Sequence, residues 1–172
     1  MGGFSLIEVL VSILVLSFGL LGVASMLGAG LSSIHTASVR TQAVVLATDI
    51  ADRMRANRTT AVAPGPNNYE GIAPAENRCR AVHYGHQHAA PVVCTPQQIA
   101  ADDKFDWLAQ VAAVLPQGVG VVCIDSTPED GVAAIPACDG VGAAYAVKVF
   151  WTEKPTVNAA PDPKRFSVTV RP

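Results

Sequence analysis

The chain has 172 residues, 50% of them hydrophobic, and a formal net charge of −2. That length suits one domain plus an anchor. The charge leaves no basic footprint, so nucleic acid is excluded as the expected partner.

The apolar content is concentrated at the start. Gly3-Phe4-Ser5-Leu6-Ile7-Glu8 leads into Val9–Ile34, a stretch without a charged residue. A bilayer core about 30 Å thick is crossed by about 20 helical residues, so this stretch spans one with a turn or two to spare. Gly19, Gly22, Gly28 and Gly30 interrupt it; small residues let membrane helices approach closely, and they also loosen a helix locally. Glu8 is the acid at its edge. An ionisable group at membrane depth costs roughly 2.5–3.5 kcal/mol on insertion scales, so it needs a partner. The nearest basic side chain along the chain is Arg40, about 48 Å away on a continuous helix. The partner is therefore another molecule or a new chain terminus. A secretory signal peptide has a shorter apolar core, which leaves a plain signal anchor as the alternative.

Gly-Phe-Ser-Leu-Ile-Glu opening an apolar helix resembles the class III signal of type IV prepilins and type II secretion pseudopilins. The resemblance implies a leader over residues 1–3, cut between Gly3 and Phe4 by the prepilin peptidase. It implies N-methylation of Phe4 and an assembly role for Glu8, facing the Phe4 amine of a neighbouring subunit. It also implies a filament-core or transmembrane helix over 4–35.

Beyond the apolar run, Val39, Ala43, Leu46, Ile50 and Met54 recur at helical spacing. Arg40, Thr41, Thr48, Asp52 and Arg55 fall on the other side, and Asp49 precedes Arg53 by the four residues of a helical ion pair. Residues 36–57 therefore read as an amphipathic extension of the same helix, needing a folded partner on one face. LATDIADRMRANR, residues 46–58, resembles the PilV-type minor pilins in particular. So do Leu115-Pro-x-Gly118 before a strand and the Tyr145-x-Val-x-Val-x-Trp151 strand.

Residues 58–172 read as the head. From Thr59 to Pro96 turn chemistry dominates, as in Pro64-Gly65-Pro66-Asn67-Asn68, and an irregular loop is expected. Asp102–Leu115 is a short helix capped by Asp102 or Asp103, with Phe105, Leu108, Val111, Ala112 and Leu115 inward. Strands follow at Val119–Asp125, Ala144–Thr152 and Phe166–Val170. In the second, Tyr145, Val147, Val149 and Trp151 share one face, with Lys148 and Thr152 on the other. In the third, Phe166, Val168 and Val170 share a face. The fold class is α+β and pilin-like: a long N-terminal helix, membrane-spanning in its first half and amphipathic in its second, packed on a small antiparallel sheet.

Cys79, Cys94, Cys123 and Cys138 all lie beyond the anchor. An even number in a small exported domain argues for two disulfides and an oxidising compartment. Three pairings are possible; Cys79–Cys94 and Cys123–Cys138 close short loops and are preferred.

Several clusters invite a chemical reading. His83, His86 and His88 could hold zinc, but their spacing matches no common zinc pattern and a solvated loop is the simpler reading. Asp125, Glu129, Asp130 and Asp139 could hold calcium, but no EF-hand pattern is present. Asp102, Asp103 and Asp106 read as acids complementing a helix start. Asn57-Arg58-Thr59 fits the loose glycosylation pattern. Ser32, Ser33 and His35 lack an orienting acid for nucleophilic catalysis. No enzyme, cofactor or metal is expected. The reading is a minor pilin of a type IV pilus, serving pilus assembly and through it twitching motility or adhesion. Its expected partners are major and minor pilin subunits, the prepilin peptidase and the inner membrane. It would be a single-pass inner-membrane protein with a periplasmic head before assembly, and would lie in a surface pilus afterwards. The alternatives are a minor pseudopilin of type II secretion and a membrane-anchored periplasmic binding protein.

Overall fold

The structure, a computed structural model, describes residues 5–58, 69–70, 73–75, 79, 82–83, 86–87, 93–153 and 160–171, without the side chains of 82–83 and 86–87. Helix α1 (Leu6–Ala56) is followed by the short strands β1 (Val82–His83) and β2 (His86–Gln87), helix α2 (Pro96–Val114), and strands β3 (Val119–Ile124), β4 (Tyr145–Glu153) and β5 (Asp162–Val170). The chain divides into two compact units, residues 1–38 and 39–172.

The first unit is the apolar part of α1. Its large apolar side chains, from Leu6 to Ile34, are 48–81% exposed. Uncharged, strongly apolar sequence favours helix here because the backbone polar groups are then satisfied within the segment. Ser12 and Ser17 also turn their hydroxyls back to the carbonyls of Glu8 and Ile13, at 2.7 Å each. Those bonds hide two polar side chains against the helix backbone.

The second unit has a single core. Val39, Ala43, Leu46, Ile50 and Met54 are all buried, as their spacing predicts, together with Ala47 and Ala51. The three-stranded sheet is an antiparallel meander in the order β3-β4-β5. Opposed residues in the ladder share a face, so one face carries Gly120, Val149 and Phe166; Val122, Val147 and Val168; and Ile124, Tyr145 and Val170. This face belongs to the core, which α1 and α2 complete through Ile50, Met54, Trp107 and Val111. Burying each such aliphatic side chain contributes about 1.5–3 kcal/mol.

Helix α2 differs from the sequence expectation. It begins at Pro96, six residues before Asp102. Thr95 is its cap: the Gln98 N–H donates to Thr95 Oγ1 at 3.3 Å, and the Thr95 N–H donates to Gln98 Oε1 at 2.9 Å. Pro96 occupies the first helical position, where its missing N–H costs nothing. The capping box within Thr-Pro-Gln-Gln outweighs the turn-rich composition around it. Asp102, Asp103 and Asp106 consequently sit inside the helix, and all three are buried. The inward stripe is Ala100, Trp107, Val111 and Leu115, all buried, with Leu108 half-buried against the core; Phe105 and Ala112 are exposed. The width of Trp107 sets this rotation, because its indole fills the space under β3. A Cβ on Gly120 would come within 2.5 Å of Trp107 Cη2.

Strand β5 starts at Asp162 rather than Phe166. Pro163 is accommodated because β5 is an edge of the three-stranded sheet, where one N–H row is not needed for pairing.

Candidate functional site

Two places hold chemistry that a plain core does not require: the start of α1, and the segment covering the outer face of the sheet.

At the start of α1 the Ser5 carbonyl accepts from the N–H groups of Glu8 and Val9, at 3.0 and 3.4 Å. Glu8 thus lies in the first helical turn. A carboxylate there is favoured by the exposed N–H groups of the helix end, a local role that the Ser-x-x-Glu spacing could have signalled. No ion pair of Glu8 forms among the described residues. Along the next turns the surface is wholly apolar, and α1 is long and apolar enough to cross a membrane. Gly3 and Phe4, the expected cleavage and methylation positions, lie outside the described residues. Ser32, Ser33 and His35 are exposed on the helix, and the Ser32 carbonyl accepts from Thr36 Oγ1 at 3.2 Å.

On the sheet, the face opposite the core carries Cys123, Ala146 and Thr169; Val121, Lys148 and Ser167; and Val119, Phe150 and Arg165. Lys148, expected to point outward to solvent, is fully buried. The reason is the connection between β3 and β4, residues 125–144, which lies over this face. Each of the three strands holds it. From β3, Cys123 is bonded to Cys138. From β4, the Lys148 ammonium reaches Asp125 Oδ2 at 2.5 Å and Asp130 Oδ1 at 2.9 Å, and donates to the Pro136 carbonyl at 2.8 Å. From β5, Arg165 donates to the carbonyls of Gly131, at 2.7 Å, and Glu129, and the Ser167 hydroxyl donates to Glu129 Oε1 at 2.5 Å. Gly131 has φ +83°, a left-handed conformation that turns the segment at this point.

Burial pulls the Lys148 pKa down, but hydrogen bonds and charges from Asp125 and Asp130 outweigh it, so the net direction is up. Asp130 is held below the usual carboxylate range, first by Lys148 and then by Thr127. Asp139 is held low by its bonds from Ser126 and the Val141 N–H. The four acids considered for calcium are therefore already engaged: two by an internal ammonium, one by Ser126 and one by Ser167. Among the described residues no group of three His, Cys, Asp or Glu is placed to hold a metal ion. That statement does not reach the imidazoles of His83, His86 and His88.

The buried acids of α2 are structural in the same sense. Asp102 Oδ2 accepts from the Cys79 N–H at 3.1 Å, and Cys79 is bonded to Cys94. Asp103 Oδ2 accepts from the Tyr69 hydroxyl at 3.1 Å, and its Oδ1 lies 3.5 Å from Arg53 Nη1. Arg53 also forms the expected pair with Asp49, at 2.7 Å. The Asn57 amide nitrogen, the atom a glycan would take, donates to the Pro96 carbonyl at 2.7 Å. Both disulfides are the short-loop pairings, each spanning a sequence separation of 15. The sequence reading missed Arg40 paired with Glu153 and Lys148 with its acids. No local pattern marks either pair, since their partners lie on different elements.

No family model matches the chain, and no curated protein or solved structure matches it.

Proposed function

We propose that the chain is a membrane-anchored filament subunit of the pilin type, a minor pilin acting in assembly of a type IV pilus rather than a catalyst. The observation that carries this reading is the character of α1. Its first part exposes only uncharged, largely apolar side chains behind a single acid, Glu8, while its later part is buried in the core of an α+β head. An exposed apolar helix of that length is stable only in lipid or against other apolar helices. A subunit that moves from a bilayer into a helix bundle uses both environments. The two disulfides support placing the head in an oxidising compartment. The motif from Gly3 to Glu8 adds processing: cleavage after Gly3, methylation of Phe4, and an amine on the new terminus to meet Glu8 of a neighbour.

The test is the mature N-terminus. Mass spectrometry of the chain from cells making the peptidase is expected to find methylated Phe4 as the first residue. A terminus that stays upstream of Phe4 in those cells would leave a plain signal anchor as the better account.

A further inference from the structure

We propose that the segment closed by Cys79 and Cys94 carries a binding site for a divalent late transition metal ion, with His83 and His86 as ligands and His88 as the third. The observation is the register of β1 and β2. The strands are antiparallel, Val82 opposite Gln87 and His83 opposite His86. Only Tyr84 and Gly85 separate the two histidines in sequence, so the pair stands at the last rung before the turn. Directly opposed residues of an antiparallel ladder share a face, with Cβ atoms about 4.5–5.5 Å apart. Two imidazoles at that spacing can meet one ion, as their linear spacing alone did not suggest. His88, outside the described residues, follows His86 by two positions in sequence, the period of a strand.

The donor set selects the metal. Cys79 and Cys94 are bonded to each other, so neither supplies a thiolate. An imidazole-only set suits copper, nickel and zinc and disfavours calcium and magnesium, and copper(II) stands highest in the divalent series. The base of the segment is fixed. The disulfide holds the two Cα atoms 5.7 Å apart. The Cys79 N–H is tied at 3.1 Å to Asp102, which is buried within α2. Closing the loop in advance lowers the ordering cost that a free peptide of this sequence would meet on binding.

Binding requires neutral imidazoles, so it must compete with protons near their reference pKa of about 6.5. The experiment uses the full chain, purified in detergent without an affinity tag and with disulfides intact. It is titrated calorimetrically with copper(II) and zinc(II) salts. One ion per chain is expected, with copper tighter than zinc and both weakened on going from about pH 7.5 to about pH 5.5. Loss of an outer partner of a metal ligand costs about 10–100-fold in affinity, and His83→Gln or His86→Gln should cost at least that. His35→Gln, on α1, should change nothing. Electron paramagnetic resonance of the copper-loaded wild type should show coupling to imidazole nitrogen, a readout independent of how the variants fold. Absence of that coupling, no binding, or equal affinity in the His83 and His86 variants would overturn the proposal.

Discussion

Arg40 and Glu153 form a two-pronged ion pair, Nε to Oε1 at 2.7 Å and Nη2 to Oε2 at 2.8 Å. They are 113 residues apart, and the pair ties α1 to the end of β4. Trp151 Nε1 adds a bond to the same Oε1 at 3.3 Å. The fork geometry of guanidinium and carboxylate makes this contact directional as well as attractive.

The Arg40 hydrogen bonds hold the Glu153 carboxyl below its ordinary value, against the opposing pull of burial. A depressed carboxyl contributes stability that is complete above the unfolded value, about 4.3, and is lost as pH falls through the lower folded value. Arg40→Gln should therefore lower the urea midpoint at pH 7. The gap to wild type should close progressively below about pH 4. A gap that stays constant down to acid pH would show that the ionised pair is not what holds these elements together.

Lys148 and Asp125 are both fully buried at their side chains. Removing one partner of such a pair leaves an uncompensated charge and costs about 3–5 kcal/mol. Lys148→Met should fall in that range by chemical denaturation. Adding Asp125→Asn should recover part of the loss, because it removes the stranded charge while leaving an acceptor for the Thr127 N–H, now 3.1 Å from Asp125 Oδ1. Strict additivity of the two changes would contradict this account, since coupled residues deviate from it.

Gly120 faces the Trp107 ring, whose Nε1 donates to the Leu46 carbonyl at 2.8 Å. The indole cannot retreat without breaking that bond. Gly120→Ala puts a methyl 2.5 Å from Trp107 Cη2, and overpacking of this kind costs about 1–3 kcal/mol. The thermal midpoint of Gly120→Ala should drop. In a Trp107→Phe background, which shortens the ring system, the same change should cost much less. An equal drop in both backgrounds would place the strain elsewhere.

For Glu8, the filament reading makes a separate prediction. A carboxylate beside lipid is unfavourable, and a processed neighbour's amine, with a reference pKa of about 7.7–8.0, can relieve it. Opposite charges at about 4 Å gain roughly 4 kcal/mol at an effective dielectric of 20, before desolvation is subtracted. Glu8→Val removes both the attraction and the insertion penalty. The variant should be processed and stable in the membrane but depleted from sheared filaments, as measured with an antibody to the head. Equal amounts in the filament fraction would remove Glu8 from the assembly contact.

Much of the architecture follows from the sequence because its causes are local or periodic. The uncharged run from Val9 to Ile34 needs no tertiary information to be a helix that avoids water. The stripe from Val39 to Met54 declares which side of α1 is covered, since a 3.6-residue period maps sequence onto one face. Alternation placed Tyr145, Val147, Val149 and Trp151 together, and cysteine spacing favoured the two short loops. What tertiary structure alone decided concerns partners far apart in the chain. Lys148 alternates like a solvent-facing residue, and nothing near it in sequence says that residues 125–144 cover its face. Asp102 and Asp103 look like cap residues until the backbone of Cys79 and the hydroxyl of Tyr69 supply their donors. His83 and His86 look like loop histidines until a strand register sets them opposite each other. Burial of a charge depends on what arrives from elsewhere to pair it, and one-dimensional periodicity carries no information about that arrival.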